Sequence, residues 1–210
     1  MTDWITLEKK YLMTTYTRMP VVLERGEGCW VWDTQGKAYL DMVAGIAVNV
    51  LGHAHPLIAA TLARQSKLLI HTSNLYYTTP QIQLAQLLID NSCADRAFFA
   101  NSGAEANEGA IKLARKWGKL NRNGAYEVIS MRGSFHGRTL AAVAATGQKK
   151  YQSPFEPMPD GFTQVPFNDI VSLRQATSDK TVAVLLEPVQ GESGVHPARQ
   201  RYLELVRQWC

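Results

Sequence analysis

Cysteine is scarce. Cys29, Cys93 and Cys210 are too few and too scattered for a disulfide framework or a zinc knuckle, and they read as ordinary reduced thiols. Long hydrophobic runs are missing too: stretches such as Val182 to Leu186 fall far short of the roughly 20 residues that a bilayer span requires. The start, Met1-Thr-Asp-Trp-Ile-Thr-Leu-Glu, lacks the basic then apolar pattern of a signal peptide, so a soluble, cytoplasmic protein with no membrane partner is expected. Neither sign of charge dominates. Lys plus Arg number 22 against 18 Asp plus Glu, and the scattered basic residues form no block or aromatic-interleaved stripe, which argues against a nucleic-acid partner. There is no internal repeat, low-complexity tract or Pro-rich linker. There is also no Gly-x-x-x-x-Gly-Lys-Ser/Thr, and the lone Gly26-x-Gly28 belongs to a predicted hairpin, which removes the usual ATP and NAD fingerprints. His53 and His55 make a His-x-His pair, but Gly52, Pro56 and the lack of nearby carboxylates favour a loop over a metal site, so no metal is expected.

What is present is a globular pattern, 46% hydrophobic over 210 residues. From Val21 to Asp41, β-favouring residues alternate with the turn signals Gly26-Glu-Gly28 and Asp33-Thr-Gln-Gly36, predicting a small antiparallel meander. The period then turns helical, with an apolar stripe from Leu57 to about His71 and a second helix from Pro80. The composition shift at 50–56 suggests a domain transition, giving a segment 1–52 and a segment 53–210. Beyond it, predicted strands at Arg96–Ala100, Tyr126–Met131, Thr163–Phe167 and Thr181–Glu187 alternate with helices, the last of them over Arg199–Cys210. That alternation implies an α/β layer around a mostly parallel sheet.

Three runs carry chemistry. The first, Phe98-Phe-Ala-Asn-Ser-Gly-Ala-Glu-Ala-Asn-Glu-Gly-Ala-Ile-Lys-Leu-Ala-Arg115, reads as a buried strand turning through Ser102, Gly103 and Ala104 into an Ala-rich helix. Small residues let backbone approach a ligand closely, and the free N–H groups and dipole of a helix start suit a phosphate. The same residues also read as an ordinary capping box, with Ser102 as cap and Glu105 three residues later. The second run, Arg132-Gly-Ser-Phe-His-Gly-Arg-Thr139, offers Phe135 to stack on a planar ring and Arg138 as a fork for a carboxylate. A turn with Phe135 in the core and Arg138 in a surface ion pair fits it equally. The third, Val182 to Glu192, puts Glu187 at the carboxyl end of a predicted parallel strand, where open α/β sheets place ligand groups. Glu187 is a candidate to pair with a cationic substrate group or to gate an arginine; the bland alternative is a solvated loop acid.

Together, Gly-His-Ala-His-Pro (52–56), Asn-Ser-Gly-Ala-Glu-Ala-Asn-Glu (101–108), Ser-Phe-His-Gly-Arg-Thr (134–139) and Leu-Glu-Pro-Val-Gln-Gly-Glu (186–192) resemble the class III pyridoxal-phosphate-dependent aminotransferases in order and spacing. The resemblance runs over the whole chain, and it is nearest the acetylornithine branch through Asn-Val-Leu-Gly-His (49–53). It implies fold-type I, with residues 1–52 in the small domain and 53–210 opening a large domain whose parallel sheet is incomplete here. It implies pyridoxal 5'-phosphate as cofactor, with Ser102, Gly103, Ala104, Phe135 and His136 at the cofactor. Gly103 and Ala104 would donate backbone N–H groups to its phosphate, and Phe135 would stack on its ring. Ala104 stands where the family often has Thr or Ser, which removes a hydroxyl contact and keeps the backbone donor. Arg138 and Glu187 would meet substrate: Arg138 the α-carboxylate of N2-acetylornithine, Glu187 as the acid that pairs with an active-site arginine when 2-oxoglutarate is absent. Ser193 replaces a usual glycine. The resemblance places the cofactor-bearing lysine beyond Cys210, Lys180 being in the wrong context, so no catalytic residue is expected within these 210 residues and the chain alone is expected to be inactive. It also implies a homodimer for the longer form, and it leaves ornithine, succinylornithine or 4-aminobutyrate as alternative donors. A non-catalytic binding or assembly piece, with half an interface near residues 52–77, is the reading from another class.

Overall fold

The structure, a computed structural model, describes residues 2–210. The chain forms two compact units, one up to Ile82 and one from Gln83. The first opens on helix α1 (Trp4–Tyr11), whose N-cap Asp3 accepts from the Thr6 N–H, and continues into a meander of β1 (Leu23–Glu27), β2 (Trp30–Asp33) and β3 (Ala38–Leu40). Both joints fall on the turns that the sequence marks; Gly28 and Gly36 take the positive φ that favours glycine. The strands pair antiparallel in sequence order. After the left-handed turn α2 (Ala44–Ala47), helix α3 (Pro56–Ser66) starts with Pro at its first position.

The stripe that continues to His71 outruns α3. The Gln65 side-chain amide donates to Leu69 O at 2.9 Å and closes the last turn, so Leu68 and Leu69 lie past the helix. The sequence put a transition at 50–56, whereas the compact units meet at 82/83. His53 is held to the meander by a backbone bridge to Gly28 and by its Nε2, 2.7 Å from Asp41 Oδ2. A carboxylate therefore does stand beside His53, which the sequence reading did not foresee; its hydrogen bond, with those from the N–H groups of Val43 and Ala44, holds the Asp41 carboxyl down at about 2. Among the described residues no cluster of three or more His, Cys, Asp or Glu is arranged to hold a metal.

Helix α4 (Thr79–Asp90) spans the junction, one residue ahead of its expected start at Pro80. The second unit then lays down α5 (Gly103–Asn121), β4 (Glu127–Met131), α6 (Leu140–Ala145), the single turn α7 (Lys149–Gln152), β5 (Phe162–Val165), α8 (Ile170–Ala176), β6 (Thr181–Leu185) and, after the short pair β7 (Val189–Gln190) and β8 (His196–Pro197), helix α9 (Gln200–Trp209). β4 lies between β5 and β6 with both pairings parallel, as the alternation of strands and helices implies. Strand alternation divides β4: Ile129 and Met131 pack with Leu173 of α8 and Tyr202 and Val206 of α9, while Ser130 donates to Ala145 O of the short helix α6, buried from Ala142 to Ala145.

One expected strand is absent. Arg96–Ala100 makes no β pairing among the described residues, and Phe98 is 72% exposed with its ring against Gly109. The apolar run Ala97-Phe-Phe-Ala has strand composition, but a strand also requires a neighbour for its N–H and C=O groups, and no described strand lies beside it. Among the described residues no helix is long and apolar enough to cross a membrane.

Candidate functional site

The site is built where α5 begins. Ser102, in extended conformation, caps the helix: its Oγ accepts from the Glu105 N–H at 3.2 Å, and the Glu105 carboxylate accepts from the Asn101 N–H at 2.6 Å. The capping box is therefore real, shifted by one residue on its return bond. It leaves the cradle intact. The box satisfies the N–H groups of Asn101 and Glu105, while those of Gly103 and Ala104, first in the helix, have no protein acceptor among the described residues. Among the described residues, its chain neighbours and the helix's own backbone aside, nothing lies within 4 Å of the Cβ that a side chain would add at Gly103, so the helix start faces open space. That is what an anion needs in order to reach two aligned N–H donors.

Three links bind this helix start to the 132–139 loop. Asn107 Nδ2 donates to His136 O at 2.7 Å, Thr139 Oγ1 donates to Glu108, and Gly137, at φ +130, brings its Cα so close to Ala104 that an added Cβ would sit 2.8 Å from the Ala104 Cβ. The loop itself is pinned from below. Gly147 N–H donates to Ser134 Oγ, Gln148 Nε2 donates to Ser134 O at 3.0 Å, and the buried Gln190 Nε2 donates to Arg132 O at 3.1 Å.

His136 is 4% exposed. Its backbone N–H donates to Thr146 Oγ1 at 3.0 Å, its Nε2 has no partner among the described residues, and burial pushes the imidazole down to about 4 and keeps it neutral at pH 7. Phe135 is half-buried, edge-on to Tyr151 with ring centroids 5.8 Å apart. It is not part of the core. The Phe135 N–H donates to Glu187 Oε2 at 3.0 Å, two residues past the carboxyl end of β6. Glu187 is half-buried rather than a solvated loop acid; burial raises its carboxyl above the usual range, the bond from Phe135 opposes this, and the charge of Glu192 adds to it. Arg138 makes no ion pair among the described residues. Its guanidinium lies over the rings of Tyr151 and Phe135, at 4.6 and 5.3 Å from their centroids.

The structure thus brings Ser102, Gly103, Ala104, Phe135, His136, Arg138 and Glu187 together at one place in the second unit. Lys180 is elsewhere: its carbonyl accepts from Tyr126 and Glu127 at the amino end of β6, the opposite end from Glu187. Sequence reasoning gave no role to Asn107, Thr146, Tyr151, Gln190 or Glu192. Asn107, Gln190 and Glu192 lie inside the quoted runs, so the motifs could have flagged them. Thr146 and Tyr151 carry no local signal, because their partners lie 10 and 41 residues away.

A family model for class-III aminotransferases matches residues 11–210. The acetylornithine aminotransferase of Methanocaldococcus jannaschii is 56% identical over 99% of this chain and 52% of its own length. Among solved structures, the ornithine aminotransferase of Toxoplasma gondii, described with pyridoxal phosphate partly occupying its active site, superposes with a TM-score of 0.91 at 31% identity, covering 99% of this chain and 50% of that one. The N-acetylornithine aminotransferase of Stenotrophomonas maltophilia is 42% identical with a TM-score of 0.79, covering 98% and 50%. The chain spans about half the length of the relatives it matches.

Proposed function

The chain belongs to the class-III aminotransferases and has their fold-type I architecture, and from that premise we propose that it supplies the cofactor cradle and the substrate-carboxylate contact of an acetylornithine aminotransferase. The activity is transfer of the distal amino group of N2-acetylornithine to 2-oxoglutarate, giving glutamate, in arginine biosynthesis. The observation that carries this reading is the convergence of the free N–H groups of Gly103 and Ala104, the half-buried Phe135 ring and the unpaired Arg138 fork.

The residues fit pyridoxal 5'-phosphate. Gly103 and Ala104 would hold its phosphate on their free N–H groups at the positive end of α5. Ser102, by capping the helix, fixes the direction of those donors. Phe135 would offer its ring to the planar cofactor, and the neutral His136 beneath the loop would add no charge there. When bound, the cofactor supplies the electron sink for transamination. Arg138, in no ion pair among the described residues, would take the α-carboxylate through its N–H groups. Glu187, by accepting from Phe135 N–H, holds the stacking residue from the strand end and offers a carboxylate to a cationic partner when no substrate acid competes.

The cytoplasm suits this chemistry. A homodimer is part of the same proposal, supported by apolar side chains between Val43 and Tyr77, among them Ile46, Val50, Ile70 and Tyr77, that stand exposed within the first unit. Sedimentation at several concentrations tests it, a persistent monomer of the intact protein counting against it.

The function itself is tested with a donor panel at constant 2-oxoglutarate: N2-acetylornithine, ornithine, succinylornithine and 4-aminobutyrate. Highest kcat/KM with N2-acetylornithine is expected. Preference for another donor moves the protein to a different branch, and no glutamate from any of the four defeats the reading in favour of a non-catalytic binding piece.

A further inference from the structure

Arg138 is an exposed cation whose guanidinium rests on aromatic faces rather than on an acid. The aromatic surface that holds it is Tyr151, at 4.6 Å from the ring centroid, and Tyr151 is built to be rigid. It sits in the single turn α7 between two glutamine anchors: Gln148 Nε2 donates to Ser134 O, and the buried Gln152 Nε2 donates to Thr146 O at 2.8 Å with longer bonds to Val143 O and Ala144 O. Its ring meets Phe135 edge-on, and its hydroxyl donates to the Glu192 carboxylate. Lys150 Nζ approaches the same ring to 4.6 Å, so two cations gather on one platform that Glu192 anchors.

Stacking engages the face of a guanidinium and leaves its N–H edges free, whereas an ion pair would engage the edges. Arg138 is in no ion pair among the described residues, so its N–H groups remain for a ligand.

We propose that Tyr151 is the positioning residue of the carboxylate-binding arginine: its ring fixes the Arg138 guanidinium, and its hydroxyl bond to Glu192 helps to hold that ring in place. The proposal rests on the reading of Arg138 as the contact for the substrate carboxylate. Tyr151 touches neither substrate nor cofactor in this account and acts through Arg138 alone.

The test compares two amine donors with the intact protein, N2-acetylornithine and N-acetylputrescine, which differ only by the carboxylate. Tyr151→Leu is expected to raise KM for N2-acetylornithine roughly tenfold, the scale of a lost cation–π contact, with kcat within about threefold. Its KM for N-acetylputrescine stays at the wild-type value. Tyr151→Phe, which keeps the ring, retains most of the discrimination. A substrate-free readout accompanies the kinetics: the Arg138 Nε–Hε NMR resonance is shifted by ring current in the wild type and in Tyr151→Phe, and loses that shift in Tyr151→Leu. If Tyr151→Leu keeps the discrimination while Arg138→Leu abolishes it, the role of Tyr151 is wrong and the reading of Arg138 stands. If Arg138→Leu changes neither donor, the reading of Arg138 falls and the proposal with it. Equal losses on both donors in Tyr151→Leu mean a general structural role and overturn the proposal.

Discussion

The residues up to Ile82 and those from Gln83 onward are alike in regularity and opposite in burial. The first unit has a meander and well-formed helices, yet Val31 is the one apolar side chain it buries among the described residues, and α1 and α3 bury none. The second unit wraps helices around a parallel sheet and buries Val128, Ile129, Met131, Leu173, Tyr202 and Val206. Local periodicity is therefore enough to form an element, while burial requires a second surface to press against. The candidate site lies wholly in the unit that has that surface, where fixed backbone can hold a ligand contact in place.

The sharpest way to break this comparison is one substitution made in both units. Leu173→Ala removes a fully buried side chain and should cost about 3 kcal/mol, read from urea unfolding. Leu62→Ala, at a side chain 65% exposed, should stay within about 0.5 kcal/mol. Equal costs would mean that the α3 face is covered in solution, and a dependence of the Leu62→Ala cost on protein concentration would identify the cover as a second copy.

Acid should separate the units next. His136 has a folded value of about 4 against an ordinary 6.5, so the folded second unit binds fewer protons than the unfolded chain across that interval. Its contribution is complete above pH 6.5 and is lost as pH falls toward 4, by roughly 3 kcal/mol for that shift. In the first unit, Asp41 is held at about 2 against an ordinary 3.8, so what its bond to His53 contributes is present above pH 3.8 and is lost as pH falls toward 2. NMR titration of the His136 ring, followed together with unfolding midpoints, checks both windows. A His136 that titrates near 6.5 would show that the ring is hydrated.

A smaller effect is expected at the helix start. Ser102→Ala removes the cap on Glu105 N–H and should cost about 1 kcal/mol, with a matching weakening of cofactor affinity if the cap fixes the phosphate donors. Loss of stability without any loss of affinity would separate the cap from the cradle.

Much of this was legible in the sequence because it is local. The meander, β4 to β6, α9 and the place of Glu187 near the carboxyl end of β6 follow from periodicity and turn residues, although β6 stops at Leu185, two residues short of the expected Glu187. Other features depend on partners far along the chain. The apolar Arg96–Ala100 run has the composition of a strand without a described neighbour, and α3 ends where the Gln65 side chain closes it, although the apolar stripe continues. The Asp41–His53 contact joins residues twelve apart through a loop, so the sequence showed the histidine without its carboxylate. In the site, the motif residues were visible, but the scaffold of Asn107, Thr146, Gln190 and Tyr151 that makes them converge consists of ordinary polar side chains whose role exists only in the folded chain.

The central claim is that the first N–H groups of α5 hold the cofactor phosphate, and Gly103→Pro tests it most directly. Proline suits the first position of a helix, the preceding Ser102 is already extended, and a Cβ added at Gly103 meets nothing outside its own chain neighbours and helix backbone among the described residues, so the substitution should remove the N–H donor and leave the helix. The measurement is the dissociation constant of pyridoxal phosphate from the intact protein, with helix content followed by circular dichroism. We predict a weakening of roughly tenfold or more at unchanged helix content, the scale of a lost charge-assisted hydrogen bond. An unchanged dissociation constant would contradict the assignment of the cradle.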